Sequence, residues 1–199
     1  MTAESTNPQL GLRERKKLLA KQALERAAFE LFEQKGFDAT TVEDIAALAQ
    51  VSRASFFRYF SAKEDVLANE DAQRRAAFMA TLAARTDEPV LVVLRDAVHA
   101  HIAGMDVLER QRVLAYTRVM IGSRTLLGQA YEIRIQWLRE LEPLLRERLA
   151  GRVDLEVLAP MLADVTMSVL ETAMRLASIN PELDFDEVID SGFALLRPL

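Results

Sequence analysis

The stretch Val51–Lys63 (VSRASFFRYFSAK) sets Arg53 and Arg58 beside Ser52 and Ser55, within two turns of a helix. A guanidinium offers a planar fork of N–H donors that matches guanine O6 and N7 as a pair, and phosphate oxygens as well. Arg53, near a helix start, is positioned for the paired guanine contact. Arg58, a turn later, fits a base or a phosphate equally. Taken singly, either is also an ordinary solvated charge. Ser52 and Ser55 divide between capping and contact, and capping suits Ser52. Upstream, Arg13, Arg15, Lys16, Lys17 and Lys21 face only Glu14. They form either a solvated helix face or a strip along a sugar–phosphate backbone, which would set affinity and salt sensitivity without choosing a sequence.

Other chemistries find little support. Cysteine is absent, which removes disulfides and thiolates and fits a reducing compartment. The two histidines, His99 and His101, would point about 200° apart on a helix and cannot share one metal ion. His99, with Asp96 a turn back, fits a polar pocket group, although a core or surface role suits either histidine. There is no Gly-rich phosphate loop, no G-x-S-x-G and no metal-ligand cluster, so we expect no enzyme, no metal and no cofactor.

These side chains need a scaffold, and the chain supplies helices throughout. Leu24, Ala27, Ala28, Leu31 and Phe32 recur at helical spacing until Gly36. Thr40 and Thr41 with Glu43 and Asp44 predict a capping box opening a second helix, with Val42, Ile45, Ala46 and Leu48 inward. The turn Ala49-Gln50-Val51 and the Ser52 cap lead into a third helix that buries Phe56 and Phe60. Arg53, Ala54, Ser55, Phe57 and Arg58 are left on or near its open face. Two short helices joined this way fit the major groove of B-DNA. Beyond Glu64-Asp65, helices are expected near 64–84, 89–103, 106–120, 124–149, 154–178 and 184–196, with Pro143 kinking or interrupting one. The fold class is all-α: a three-helix head over residues 1–66, with 1–11 a flexible arm, and a larger body over 67–199.

Charge divides in the same way. Residues 1–63 carry ten Lys/Arg against eight Asp/Glu, and the rest fifteen against twenty-two, within a total of −5 for 199 residues. A basic front and an acidic body suggest two jobs. The N-terminus lacks the apolar core of a signal peptide, and no segment approaches ~18 uninterrupted apolar residues, so a cytoplasmic protein without a membrane segment is expected.

The head resembles the TetR family of bacterial transcriptional regulators. The resemblance rests on A-x-x-L-F-x-x-x-G-F at Ala28–Phe37, T-T-V-x-D-I-A at Thr40–Ala46 and V-S-x-x-S-F-F-x-Y-F-x-x-K-E-x-V-L at Val51–Leu67. It implies a homodimer whose helix-turn-helix heads bind a double-stranded DNA operator and whose bodies bind a small molecule. By that resemblance Arg53, Ala54, Ser55, Phe57 and Arg58 touch DNA, Tyr59 and Lys63 meet the backbone, and Thr41 caps the helix whose start meets a phosphate. Two positions depart from the pattern. Gln50 stands where the family usually has a glycine in a left-handed turn. Phe57 stands where tyrosine is frequent, which removes a phenolic hydrogen bond and leaves an apolar contact such as a thymine methyl.

The body is rich in methionine and aromatic side chains, most of which any helical core would need. They also allow a pocket for an apolar or amphipathic effector, expected around Phe78, His99, Met105, Tyr116, Met120, Trp137 and Met167. Apolar stripes in the last two helices predict a dimer interface through Leu162, Val165, Val169, Phe185, Ile189 and Phe193, unless those helices merely close the body's own core. The leading expectation is a ligand-responsive regulator, a repressor released from a palindromic operator. The alternatives are a constitutive DNA-binding protein without an effector, and an enzyme.

Overall fold

The computed structural model describes residues 11–67, 71–180 and 182–196, without the side chains of 12, 13 and 71–73. Residues 1–10 of the expected arm and the Arg13 side chain lie outside these. The described residues are helical, with no strand. The chain divides into two compact units, residues 1–68 and 69–199.

In the first unit α1 (Leu12–Lys35) packs on α2 (Val42–Leu48) and on a 3₁₀ turn at Lys63–Leu67, while α2 packs on α3 (Arg53–Phe56). Leu24, Ala27, Ala28 and Phe32 of α1 are buried, as are Phe37, Ile45, Ala46, Phe56 and Phe60. Gly36 ends α1 with φ 84°, a conformation that suits glycine, and its N–H returns to the Phe32 carbonyl. Leu48 corrects the expected inward face of α2: it is exposed, and Ile45 and Ala46 are the buried positions of that helix.

The second unit contains α4 (Asp71–Ala84), α5 (Val90–Ala103), α6 (Val107–Gly122), α7 (Leu127–Arg148), α8 (Leu155–Ile179) and α9 (Phe185–Ala194). The expected helix near 64–84 is thus the 3₁₀ turn and α4, with 68–70 outside the described residues. α8 is the central helix, packing against α5, α6, α7 and α9. It is long and apolar enough to cross a bilayer, yet eleven of its residues are buried, from Ala159 through Ser178, as in the core helix of a globular unit. α9 lies so close to α8 that a Cβ added at Gly192 would stand 2.8 Å from Val169 Cγ2. Of the expected kink or interruption at Pro143, the interruption does not occur: α7 is continuous through it. Proline forfeits one helical hydrogen bond, but Leu141 and Leu145 flanking it are fully buried, and that packing keeps the helix whole.

Most of the side chains expected at a dimer interface are buried within the single chain. Ile189 is 0% exposed and Phe193 4%, and Leu162 and Val169 are buried too. Side chains already enclosed within one chain have no surface to offer a second copy. Val165 and Phe185, half-buried, pack against the same core. Within one chain these side chains face the unit's own core, while Val157, Met161 and Ile179 of α8 and Leu195 beyond α9 are exposed apolar side chains.

Candidate DNA interface and a cleft in the second unit

The entry to α2 is built from a reciprocal cap. Thr41 Oγ1 accepts the Asp44 N–H at 3.1 Å, and Asp44 Oδ2 accepts the Thr41 N–H at 2.9 Å and its hydroxyl at 2.7 Å. Lys35 Nζ donates to the same Oδ2 at 2.6 Å. These hydrogen bonds, from Lys35 first and then Thr41, hold the Asp44 carboxyl well below the usual carboxylate range. Thr41 is thus the expected cap, with its hydroxyl committed to Asp44.

α2 leaves through a Schellman turn. The Val51 N–H reaches the Ala46 carbonyl at 2.9 Å and the Gln50 N–H reaches Ala47 at 3.1 Å. Gln50 occupies the left-handed position with φ 55°, as the departure from the family's glycine implied. Ser52 then caps α3, its Oγ accepting the Ser55 N–H at 3.1 Å. α3 is short, and Phe57, Arg58 and Tyr59 continue as turn. Phe56 and Phe60 are buried with ring centroids 5.4 Å apart, anchoring this segment from beneath.

The residues above that anchor form one open face. Arg53, Ala54, Phe57 and Arg58 are exposed, and Ser55 and Tyr59 half-exposed. Arg53 Nε meets Glu43 Oε1 at 2.5 Å, and its guanidinium lies 4.9 Å from the Phe57 ring centroid. Arg58 Nη2 donates to Ser55 Oγ at 3.2 Å. The two arginines are therefore presented at the surface and steadied by neighbours within the head. Glu43 had no role at the interface in the sequence reading. Its pairing with Arg53 across the turn has no fixed sequence spacing that announces it.

Lys63, expected at a phosphate, has its ammonium engaged within the head. Its ammonium donates to the carbonyls of Phe37 at 2.7 Å and Thr40 at 2.9 Å, and sits 4.2 Å from the Phe37 ring centroid. It fastens the 3₁₀ turn to the α1–α2 loop and leaves one ammonium hydrogen for another acceptor. Asp65 secures the same turn by accepting the N–H groups of Ser61 at 2.8 Å and Ala62 at 3.1 Å. On α1, Arg15, Lys16, Lys17 and Lys21 are exposed; Lys21 is 3.6 Å from Glu25 and 6.0 Å from the Phe60 ring centroid.

The family description "Bacterial regulatory proteins, tetR family" matches residues 25–69. Over that segment the chain is similar to the TetR family of bacterial regulators. The HTH-type transcriptional regulator TcmR of Streptomyces glaucescens is 41% identical over 75 residues, 38% of this chain and 33% of that protein. The chain thus spans about a third of the length of the curated relative it matches. Among solved structures, NalD of Pseudomonas aeruginosa, the secondary repressor of the MexAB-OprM multidrug efflux pump, has a TM-score of 0.65 at 19% identity, covering 94% of this chain and 96% of NalD. Thermus thermophilus FadR, a transcriptional repressor in complex with lauroyl-CoA, has a TM-score of 0.53 at 23% identity, covering 89% of this chain and 93% of its own. At such identities these two structures establish a shared all-α fold.

In the second unit a cleft of about 340 Å³ opens among α4, α5 and α6. It is lined by Ala77, Phe78, Ala97, Ala100 and Gly104, with Arg74, Thr81, His101 and Glu109 as polar members. Of the seven residues expected around a pocket, Phe78 alone lines it. Trp137 stands behind, its ring 5.3 Å from Phe78 and 5.2 Å from His101. Met105, Met120 and Met167 are buried and Tyr116 is half-buried, none of them among the lining residues. His99 is not among the lining residues. Its Nδ1 lies 2.7 Å from Asp186 and its Nε2 3.1 Å from Asp190, so it joins α5 to α9, while Asp96 instead accepts from Arg85 at 2.9 Å and Arg95 at 2.8 Å. His101, Arg74 and Glu109 were missed. A usable signal was present in the small residues Ala97, Ala100 and Gly104 on the His101 helix, which leave a groove where larger side chains would fill it. Among the described residues, no group of three or more His, Cys, Asp or Glu side chains could hold a metal ion.

Proposed function

We propose that this protein is a DNA-binding transcriptional regulator, acting as a homodimeric repressor that leaves a palindromic operator when a small, largely apolar effector occupies its second unit. One observation carries the DNA-binding half. The segment that matches the family presents Arg53, Ala54, Phe57 and Arg58 on an open face, held from beneath by Phe56 and Phe60 and fixed by caps at Thr41 and Ser52. A short rigid helix of this kind enters the major groove with its first residues at base edges. Thr41, Ser55, Tyr59 and the basic side of α1 are assigned to the sugar–phosphate backbone. Residues 1–66 are assigned to the DNA-binding head and 67–199 to the effector-binding and dimerising body.

The effector half is supported by the cleft among α4, α5 and α6, whose size and mixed lining suit a small organic ligand. NalD is described as a repressor and T. thermophilus FadR as a repressor in complex with lauroyl-CoA, and the shared fold supports a comparable role here. Release would follow if the effector binds more tightly to the conformation whose heads are wrongly spaced, shifting the population away from DNA. A two-fold pairing through the exposed apolar side chains of α8 and the end of α9 is the dimer contact we assign. The working compartment is the cytoplasm, and no catalysis is proposed. Selection of bound duplexes from a genomic fragment library tests this reading. Palindromic sequences with half-sites about one helical turn apart, bound by an even number of chains in sedimentation, are the expected result. Recovery of fragments without a common sequence would refute it.

A further inference from the structure

The cleft among α4, α5 and α6 is electrostatically lopsided, and that restricts what can fill it. Arg74 of α4 and Glu109 of α6, both lining it, form an ion pair. The arginine side chain keeps 14% of its exposure, the carboxylate 36%. Glu109 lies in the first turn of α6, where its N–H is capped by Asp106 Oδ1 at 2.8 Å. A carboxylate there stays in the favourable field of the helix start even after turning toward water. Arg74 is the more desolvated partner and depends more on a nearby anion.

Exchange of partners therefore runs more easily in one direction. An entering anion can take the place of Glu109 on Arg74 while Glu109 swings to solvent. An entering cation must compete with Arg74 for Glu109, the one carboxylate among the lining residues. Apart from the imidazole of His101 and the Thr81 hydroxyl, which already donates to the Ala77 carbonyl at 3.0 Å, the rest of the cleft is apolar. Ala77, Ala97, Ala100 and Gly104 present nothing larger than a methyl group, and the Phe78 and His101 rings meet edge to face at 6.2 Å. The site is a mostly apolar slot whose charged lining is the Arg74–Glu109 pair.

We propose that the effector is a small apolar acid whose carboxylate-class anion displaces Glu109 from Arg74 and so releases the tie between α4 and α6. This rests on the reading of the second unit as an effector-binding body. α4 is the first helix after the head in chain order, so the exchange alters how the segment that follows the head is held.

Trp137, the sole tryptophan, touches both ring residues of the cleft and supplies the readout. The full-length protein is titrated with 3-cyclohexylpropanoate, its primary amide and 3-cyclohexylpropylammonium, which share one apolar body and absorb little where tryptophan is excited. The carboxylate should bind about tenfold or more tighter than the amide, with the ammonium weakest. Glu109→Gln, which removes the competing anion, should raise carboxylate affinity severalfold and leave the amide unchanged. Arg74→Gln should abolish the preference. A merely structural ion pair would not make Glu109→Gln favour the acid. Equal saturable binding of all three probes, preference for the ammonium, or weaker carboxylate binding by Glu109→Gln refutes the acid class while leaving the site intact. No saturable signal from any probe, in wild type or Glu109→Gln, refutes the effector-site reading beneath it.

Discussion

Replacing Lys63 by methionine separates a structural lysine from a phosphate-binding one. The side chain keeps its length and apolar stem but loses the ammonium that bridges the carbonyls of Phe37 and Thr40. A hydrogen bond from a charged donor contributes about 1.5–3 kcal/mol, and the contact over the Phe37 ring adds roughly 0.5–1 kcal/mol. Both carbonyls belong to residues almost wholly buried, so water replaces the lost donors only in part. Because the two bonds share one ammonium and the site is half-exposed, the sum is discounted, and the expected loss is about 2–3 kcal/mol. For a chain of this size that lowers Tm by roughly 4–12 °C. Thermal melting followed by circular dichroism, without DNA, measures it. A lysine that served only a phosphate would leave the melt unchanged and reduce the salt slope of DNA binding by about 0.9. An unchanged Tm with a flattened salt slope would refute the stapling role.

Three further perturbations probe the architecture. Gln50→Gly relieves the left-handed strain at φ 55° but frees the unfolded chain, so stability should hold or rise by a few tenths of a kcal/mol in urea titrations, with DNA binding kept. Gly192→Ala drives a methyl group into Val169 and should cost about 1–3 kcal/mol, partly restored by Val169→Ala in the same chain. Asp44 has a folded-state pKa below its unfolded value near 4, so its contribution is present above that pH and lost as pH falls from about 4 toward the folded value. Wild type should therefore lose stability in acid more steeply than Asp44→Asn, and identical acid profiles would show that the Asp44 network contributes nothing.

What could be read from the sequence was what local spacing decides. Thr41 with Asp44, Ser52 with Ser55, and Gln50 closing the turn are relations across two to five residues, and backbone geometry dictates their outcome. The same locality gave helix periods, and therefore the all-α fold and the expected burial of Phe56 and Phe60. Partners far apart in sequence were not legible. Lys63 reaches back to Phe37 and Thr40, Arg74 pairs with Glu109 and His99 with Asp186 and Asp190, and no periodicity encodes such meetings. Apolar stripes carried a second ambiguity. Phe193 and Ile189 had to be covered, but periodicity cannot distinguish a chain's own core from a partner's surface. Pro143 and Leu48 show tertiary packing overriding a local rule in one case and an apolar residue left outside in the other.

Whether α3 reads DNA sequence is decided by comparing wild type with Arg53→Ala on a selected palindromic duplex and on a random duplex at one salt concentration. Arg53 is exposed and paired only at the surface with Glu43, so its removal should leave the melt essentially unchanged. If it makes the paired contact to guanine, discrimination between the two duplexes should fall by about 1–3 kcal/mol, while affinity for random DNA changes far less. Unaltered discrimination in a folded Arg53→Ala protein, or wild-type protein that holds both duplexes equally, would contradict a sequence-reading role for α3.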